Sequence, residues 1–506
     1  MAPGEGGGAD RISGLPDELL HRILLLIPGG TAADAARTSV LSRRCLLLRY
    51  RRSIEVSRYR IRIGYGYGTS VKYPCNIGAH LPELALCYDD SREPPSLHDA
   101  RRAHERADAA LAVYSAPTVR RLEIVMPFGS RHVTGERVSS WLRFASRRLV
   151  SELKLSLPHP ALAPDKGEEA VLPACERATA IDVESVGRAL PFRLLPLTPP
   201  SFAALASLRI TEARLDAREL EHVLSSRCPR LKELVLEWVS FSPMRDDDGD
   251  AAAVLSIRSA SLQRLQMASS EEFAGSLRIA APELRVLAQR CFSCHDAYIA
   301  APKLSEVYWH TLLYDPSRHR FAEAGRHLRR MEVTTGSPTM ALMNRFDVVD
   351  ELKLTISAPQ GVHQYEKLLE DTNKLAKCAV LVLKFVELKH DFKPIMVHLL
   401  QQCAGARKLV VEFPFKMMDD YPCKSSGCPC NQLENSKTNR IVLHSLEEVE
   451  VKGGGEGDHK AELVRILCKY HATFKKKVFI SVRGGAHTQR KIGNFVPPND
   501  KYEITV

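Results

Sequence analysis

The feature that most constrains this chain is a short apolar frame, L-x-x-L-x-L with other apolar residues admitted, repeated through most of its 506 residues. Instances open at Val119, Val150, Ala178, Leu205, Leu231, Leu262, Leu284, Leu304, Leu328, Val349, Cys378, Ala406 and Leu446. Successive openings lie 20 to 31 residues apart, apart from a last step of 40 between Ala406 and Leu446. Apolar residues are common enough to produce such frames by chance, so the regular spacing weighs more than the number. Each frame puts two apolar side chains on one face of a short strand, and the residues between them point the other way. One strand alone buries too little. Stacking successive segments pairs the strands into a parallel sheet over one continuous core. The frames therefore predict an α/β solenoid over 119–415, a curved parallel sheet with helices or irregular segments outside.

The period resembles that of leucine-rich repeats, which recur every ~20–29 residues. Several frames also share a lead-in, Ala116-Pro117, Cys228-Pro229, Ala281-Pro282 and Ala301-Pro302, where proline helps to fix the turn into the strand. The outward residues form an extended concave surface. They include Arg121, Glu123, Glu152, Lys154, Glu233, Glu237, Arg264, Gln266, Tyr308, His310, Glu351, Lys353, Lys408 and Glu412. Their mixed signs suit a protein ligand better than a uniform polyanion, although a solvated sheet face with no ligand would carry the same mixture. Arg264, Gln266, Tyr308, His310, Glu351 and Lys353 are taken as the target-binding candidates.

Charge and cysteine content narrow the partners. Lys and Arg number 71 against 60 Asp and Glu, a net +11. Between Cys45 and Ala79, Arg49, Arg51, Arg52, Arg58, Arg60, Arg62 and Lys72 face the single acid Glu55, so 7 − 1 = +6 of that excess is local. A nearly balanced remainder argues against nucleic acid as a partner. No run approaches the ~18 to 20 apolar residues of a membrane span, and the first residues lack the basic-then-apolar build of a secretory signal. Thirteen cysteines without regular spacing, and no Asn-x-Ser/Thr sequon, agree with a reducing compartment, cytoplasm or nucleus.

The N-terminal residues 10–44 read as two or three short helices after a disordered tail, 1–9. Pro16 suits a first helical turn, and Asp17 and Glu18 complement the dipole there. Leu19, Leu20, Ile23, Leu24 and Ile27 make one apolar face, and Pro28-Gly29-Gly30 ends it. Thr31 and Asp34 open a second helix with the small residues Ala32, Ala35, Ala36 and Ser39. A unit this small cannot hold itself together by core burial, so its apolar surface is expected to dock on a partner. The wording Leu15-Pro16-Asp17-Glu18-Leu19-Leu20, Ile23-Leu24, Ile27-Pro28 and Ala36-Arg37-Thr38-Ser39-Val40-Leu41-Ser42-Arg43-Arg44 resembles the F-box. That motif joins substrate receptors to Skp-cullin-F-box ubiquitin ligases. The resemblance implies a Skp-type adaptor and, through it, a cullin as partners. It also implies that Leu15, Pro16, Leu19, Leu20, Ile23, Leu24, Ile27, Val40 and Leu41 divide between the F-box core and the adaptor interface. F-boxes of this type follow the Arg pair with Trp, whereas Cys45 stands here. The expected Leu-Pro-x-Leu turn arrives at Leu81-Pro82-Glu83-Leu84. Residues 45–79 therefore read as a basic, irregular insertion, and 80–118 as a connecting segment into the first repeat.

At the other end, 441–482, Leu446-Glu447-Glu448-Val449-Glu450-Val451 reads as a last strand closed by Gly453-Gly454-Gly455. Asp458 then caps a helix with Leu463, Ile466, Leu467 and Tyr470 on one face, and a strand through Val478 and Ile480 follows. This order, with the Gly427-Cys428-Pro429-Cys430 segment before it, is similar to the FBD module that ends many plant F-box proteins with leucine-rich repeats. Residues 483–506 are read as a tail.

Chemistry was sought and not found in the motifs. Cys423, Cys428 and Cys430 lie close in a loop, 416–440, but three sulfurs lack a fourth ligand and no paired Cys-x-x-Cys is present, so an ordinary reduced loop is expected. Cys291-Phe292-Ser293-Cys294-His295 spells the haem-attachment motif but falls between two frames, and reads as packing. Gly64, Gly66 and Gly68 alternate with tyrosines without a following Lys-Ser/Thr, which fits a flexible loop. The expectation is a non-enzymatic binding protein with no cofactor, no resident metal, no membrane contact and an unknown protein substrate.

Overall fold

The computed structural model describes residues 83–87, 97–127, 133–157, 169–185, 190–194, 202–241, 253–268, 273–290, 294–310, 314–402, 405–414, 423, 427–431, 443–453, 459–469, 477–483, 492 and 502–505. All thirteen frames place their second and third positions on a strand, and every one of those side chains is at most 3% exposed. The lead-in is a tight turn. The backbone N–H of Leu231, Leu284 and Leu304 donates to the carbonyl of Cys228, Ala281 and Ala301 at 3.2, 3.1 and 3.1 Å. Pro229, Pro282 and Pro302 thus occupy the second position of four-residue turns, where a fixed φ near −65° is already correct.

The chain forms two compact units, Met1–Glu219 and Leu220–Val506. In the first, the elements run β1 (Glu83–Cys87), α1 (Leu97–Val113), β2 (Val119–Val125), α2 (Gly135–Arg148), β3 (Leu149–Leu157), β4 (Ala170–Leu172), β5 (Ala180–Ser185), β6 (Leu190–Leu194), β7 (Ser207–Thr211) and β8 (Ala213–Leu215), and α3 (Ala217–Ser226) begins here. Strands β1, β2, β3, β5 and β7 pair in that order, all parallel. Strands β4, β6 and β8 form a second parallel layer. The segment 80–118, read as a connection, holds β1 and α1: Leu84 and Leu86 bury as the second and third places of a further frame, which Leu81 opens in the sequence. Thr134 caps α2 by accepting from the Arg137 N–H, and the Trp141 indole, 2% exposed, donates to Asp108 Oδ1 at 2.7 Å.

The second unit continues with β9 (Glu233–Glu237), β10 (Ser240–Phe241), β11 (Ala253–Arg258), β12 (Arg264–Ala268), β13 (Phe273–Ala280), β14 (Val286–Arg290), β15 (Cys294–Ala300), β16 (Glu306–His310), β17 (His319–Ala322) and β18 (His327–Thr334). It closes with α4 (Leu342–Arg345), β19 (Val348–Ala358), α5 (Val362–Thr372), β20 (Lys377–Leu388), α6 (Phe392–Gln402), β21 (Lys408–Phe413), β22 (Glu448–Gly453), α7 (His459–Lys469), β23 (Val478–Val482) and β24 (Tyr502–Thr505). The inner sheet orders these β9-β12-β14-β16-β18-β19-β20-β21-β22-β23-β24, and β11-β13-β15-β17 form an outer parallel sheet. The outer element varies along the array. Between Leu262 and Leu328 the frames open 20 to 24 residues apart and carry outer strands. From Val349 to Ala406 they open 28 and 29 apart and carry the helices α5 and α6. An eleven-residue helix and a five-residue strand both reach about 16 Å, so either can cover the outside of a repeat.

Aromatic residues thicken this core. Trp309 meets Tyr314 and Phe321 edge-on, each at 5.7 Å, and Phe385 stacks on Phe413 at 5.6 Å. At the C-terminal end the order β22, α7, β23 matches the strand-helix-strand expected there, with Leu463, Ile466 and Leu467 at most 1% exposed; Asp458 and Tyr470 lie outside the described residues. Residues 483–506, read as a tail, instead contribute β24, parallel to β23. The fold class expected from the frames is thus the one found: α/β, with parallel strands stacked in repeat order.

Candidate functional site

The adaptor-binding candidates Leu15, Pro16, Leu19, Leu20, Ile23, Leu24, Ile27, Val40 and Leu41, and the insertion 45–79, lie outside the described residues. The repeat face can be built residue by residue. Because the strands are parallel and in register, the first outward position of each aligns in one row across the second unit: Glu233, Arg264, Val286, Glu306, Arg330, Glu351, Val380, Lys408, Glu448, Phe479 and Glu503. The next row runs Val235, Gln266, Ala288, Tyr308, Glu332, Lys353, Val382, Val410 and Glu450.

Acid and base alternate along these rows and pair across strands. Arg264 meets Glu233 at 3.5 Å, Arg330 meets Glu351 at 3.3 Å, Lys353 meets Glu332 at 3.5 Å, and Lys408 meets Glu448 at 2.7 Å. Gln266 donates to Glu237, and the Tyr308 hydroxyl donates to Glu306 at 2.8 Å. Burial would raise the Glu306 carboxyl, yet the hydrogen bonds from Arg329 and Tyr308 hold it below the usual carboxylate range. Lys408 is raised, chiefly by its bond to Glu448. The first unit repeats the pattern, with Arg121 3.3 Å from Glu152 and Lys154 3.7 Å from Glu123. Of the six target-binding candidates, five are on this face and engaged in these pairs. The sixth, His310, ends β16 in the Arg290 register, its side chain being outside the described residues.

Besides Tyr298 on the outer strand β15, two exposed aromatics on or next to the inner sheet escape the frames. Phe479, 53% exposed, sits in the first row, and Trp238, 46% exposed, follows β9 at φ +57°. Both fall in places where the frame specifies nothing, so no periodic signal marks them.

The cysteine loop needs a correction. Cys423, Cys428 and Cys430 are buried together, and a fourth donor that the sequence did not reveal, His390 from the turn between β20 and α6, joins them; all four ligand atoms lie within 4.8 Å of one another. The haem-like motif dissolves instead: Cys294 faces the core of β15 and His295 is exposed on the opposite side. Among the described residues no helix is long and apolar enough to cross a membrane.

No protein-family model matches the chain. An FBD-associated F-box protein of Arabidopsis thaliana is 22% identical to it over 499 residues, covering 95% of this chain and 94% of the relative. A second FBD-associated F-box protein of the same plant is 26% identical over 272 residues, 52% of each chain. The resemblance read from the two ends of the sequence therefore holds along nearly the whole chain: it is similar to plant F-box proteins that carry an FBD.

Proposed function

We propose that this chain is the substrate-recognition subunit of a Skp-cullin-F-box ubiquitin ligase. In this reading the N-terminal helices hold the adaptor, the repeat face holds a protein target, and other subunits transfer ubiquitin. The observation that carries it is collinear similarity to an FBD-associated F-box protein over 95% of the chain. Paired charges and the exposed Phe479 on the inner sheet support a protein target, because unopposed Lys and Arg, as a phosphate backbone requires, do not line its rows. Such a receptor works by proximity. It raises the effective concentration of target lysines near a charged conjugating enzyme, so the rigidity of the array matters and no side chain needs a tuned pKa. It would act in the cytoplasm or nucleus.

The replacement of the expected Trp by Cys45, with the F-box continuation displaced to Leu81, favours a second reading: a repeat scaffold whose F-box no longer engages the adaptor. Capture by a purified Skp-type adaptor separates the two. The full chain should be retained, Leu19→Asp should lose retention, and deletion of 45–79 should strengthen it. Equal retention of the Leu19→Asp protein would overturn the receptor reading.

A further inference from the structure

Between β21 and β22, Cys423 and residues 427–431 lie against the turn between β20 and α6, and the contact consists of ligand atoms. The sulfurs of Cys428 and Cys430 each lie 3.5 Å from His390 Nδ1 and 3.2 Å from one another. Cys423 completes the group, and the four residues are 0 to 7% exposed. An ion held at about 2.3 Å by sulfur and about 2.0–2.1 Å by nitrogen sets tetrahedral separations of about 3.6 Å for S···N and about 3.8 Å for S···S. The S···N distances already match. The Cys428–Cys430 sulfur pair would open by roughly half an ångström, and it is far too long for a disulfide.

The surroundings prepare the donors. The Pro359 carbonyl, which can only accept, lies 2.8 Å from His390 Nε2, so that nitrogen carries the hydrogen. The Nδ1 lone pair is thereby directed at the three sulfurs, as in metal sites whose histidine is oriented by an outer carbonyl. The Asp391 backbone N–H donates to the Cys430 sulfur and so fixes its place beside His390. Gly427, at φ +92°, provides the left-handed turn into Cys428, and the Tyr365 ring packs 5.1 Å from the His390 ring at 2% exposure.

We propose that His390, Cys423, Cys428 and Cys430 bind one zinc ion. Three sulfurs and an imidazole exclude the hard cations that take oxygen ligands. Four protein donors leave no position for a substrate, so the ion is structural: it staples Cys423, Cys428 and Cys430 to the turn at His390 and, through Pro359, to the end of β19. Without it the same contact is three thiols around a bare imidazole nitrogen, a weak reason for a polar loop to fold back.

The test uses the untagged full chain, purified in reductant from zinc-supplemented cells, with metal measured by plasma mass spectrometry. About one zinc per chain is expected. Exchange for Co2+ should give tetrahedral d–d bands and a thiolate-to-cobalt charge-transfer band. Cys430→Ser and His390→Ala should lower zinc affinity roughly a hundredfold or more, while Cys228→Ser, buried ahead of β9 and outside the cluster, leaves it unchanged. Chelation should increase amide exchange at 389–391 and 427–431 and not at 264–310. A metal-free chain after zinc supplementation, a cobalt spectrum lacking the charge-transfer band, or a Cys428–Cys430 disulfide in reductant would overturn the site. None of these three outcomes needs a variant, so a misfolded substitution does not shelter the proposal.

Discussion

Gln289 offers the sharpest test of the frame argument. It occupies the third apolar place of the frame opened by Leu284, is 1% exposed, and lies in register between Met267 and Trp309, themselves 1% and 0% exposed. Its side chain hydrogen-bonds the Cys294 thiol, which burial pushes up to about 12 and so keeps neutral. Gln289→Met retains the unbranched shape and places a thioether where the amide was. A buried methionine is worth about 1.5–3 kcal/mol relative to exposure, and the amide hydrogen bond contributes about 0.5–1.5 kcal/mol net. The balance predicts stabilisation by about 1 kcal/mol. Urea unfolding of the full chain followed by circular dichroism should show the midpoint rising by about 0.3–1 M, for slopes of about 1–3 kcal/mol per M. The near-isosteric Gln289→Glu, which puts a carboxyl among the same neighbours, should lower it. If Gln289→Met lowered the midpoint by as much, this place would not be equivalent to the leucines stacked beside it, and the reading of the frame as interchangeable apolar slots would fail.

Other outcomes follow from single positions. At Gly453, with φ +120°, an added Cβ would sit 2.2 Å from the Phe413 carbonyl oxygen, so Gly453→Ala should cost at least about 1–3 kcal/mol in thermal unfolding. His319 accepts from the Asp315 N–H at Nδ1 and faces the Cys294 carbonyl with Nε2, and burial lowers its pKa from 6.5. A histidine kept neutral by folding contributes fully above its ordinary pKa and loses that contribution as the pH falls below about 6.5, so stability should decline between pH 7 and 5, and less so in His319→Gln. Lys353→Glu breaks a half-exposed pair worth about 0.2–1 kcal/mol and puts a carboxylate beside Glu332. The fold should survive it, adaptor capture should not change, and recovery of a repeat-bound target should fall roughly tenfold.

Much of the fold was legible because a repeat stack reduces tertiary structure to a local rule. Leu352 and Leu354 bury for the same reason as Leu122 and Ile124, and no long-range information is needed to find either pair. The outer element was not legible from repeat length: the 28-residue step from Val150 bears the strand β4, and the 28-residue step from Cys378 bears the helix α6. The misses have particular causes. Leu81, Leu84 and Leu86 spell a full frame that reading Leu81-Pro82-Glu83-Leu84 as the F-box turn hides, and β24 pairs at the sheet edge through Tyr502–Thr505, a run of backbone bonds with a weak apolar signature.

The ligand cluster was illegible for a different reason, and a correctable one. Motif searches assume that ligands close in space are close in sequence, but in a stacked array the spatial neighbour of a residue lies one repeat away. His390 precedes Cys428 and Cys430 by 38 and 40 residues, the order of the 40-residue step between the frames at Ala406 and Leu446. The inter-repeat turn that ends β20 and the insertion after β21 are therefore adjacent by construction, whatever residues they carry. A search for metal or catalytic sets in such proteins should pair turn residues across one repeat interval. Applied to this sequence, that rule sets His390 beside the Cys423–Cys430 loop and supplies the nitrogen that local spacing omitted.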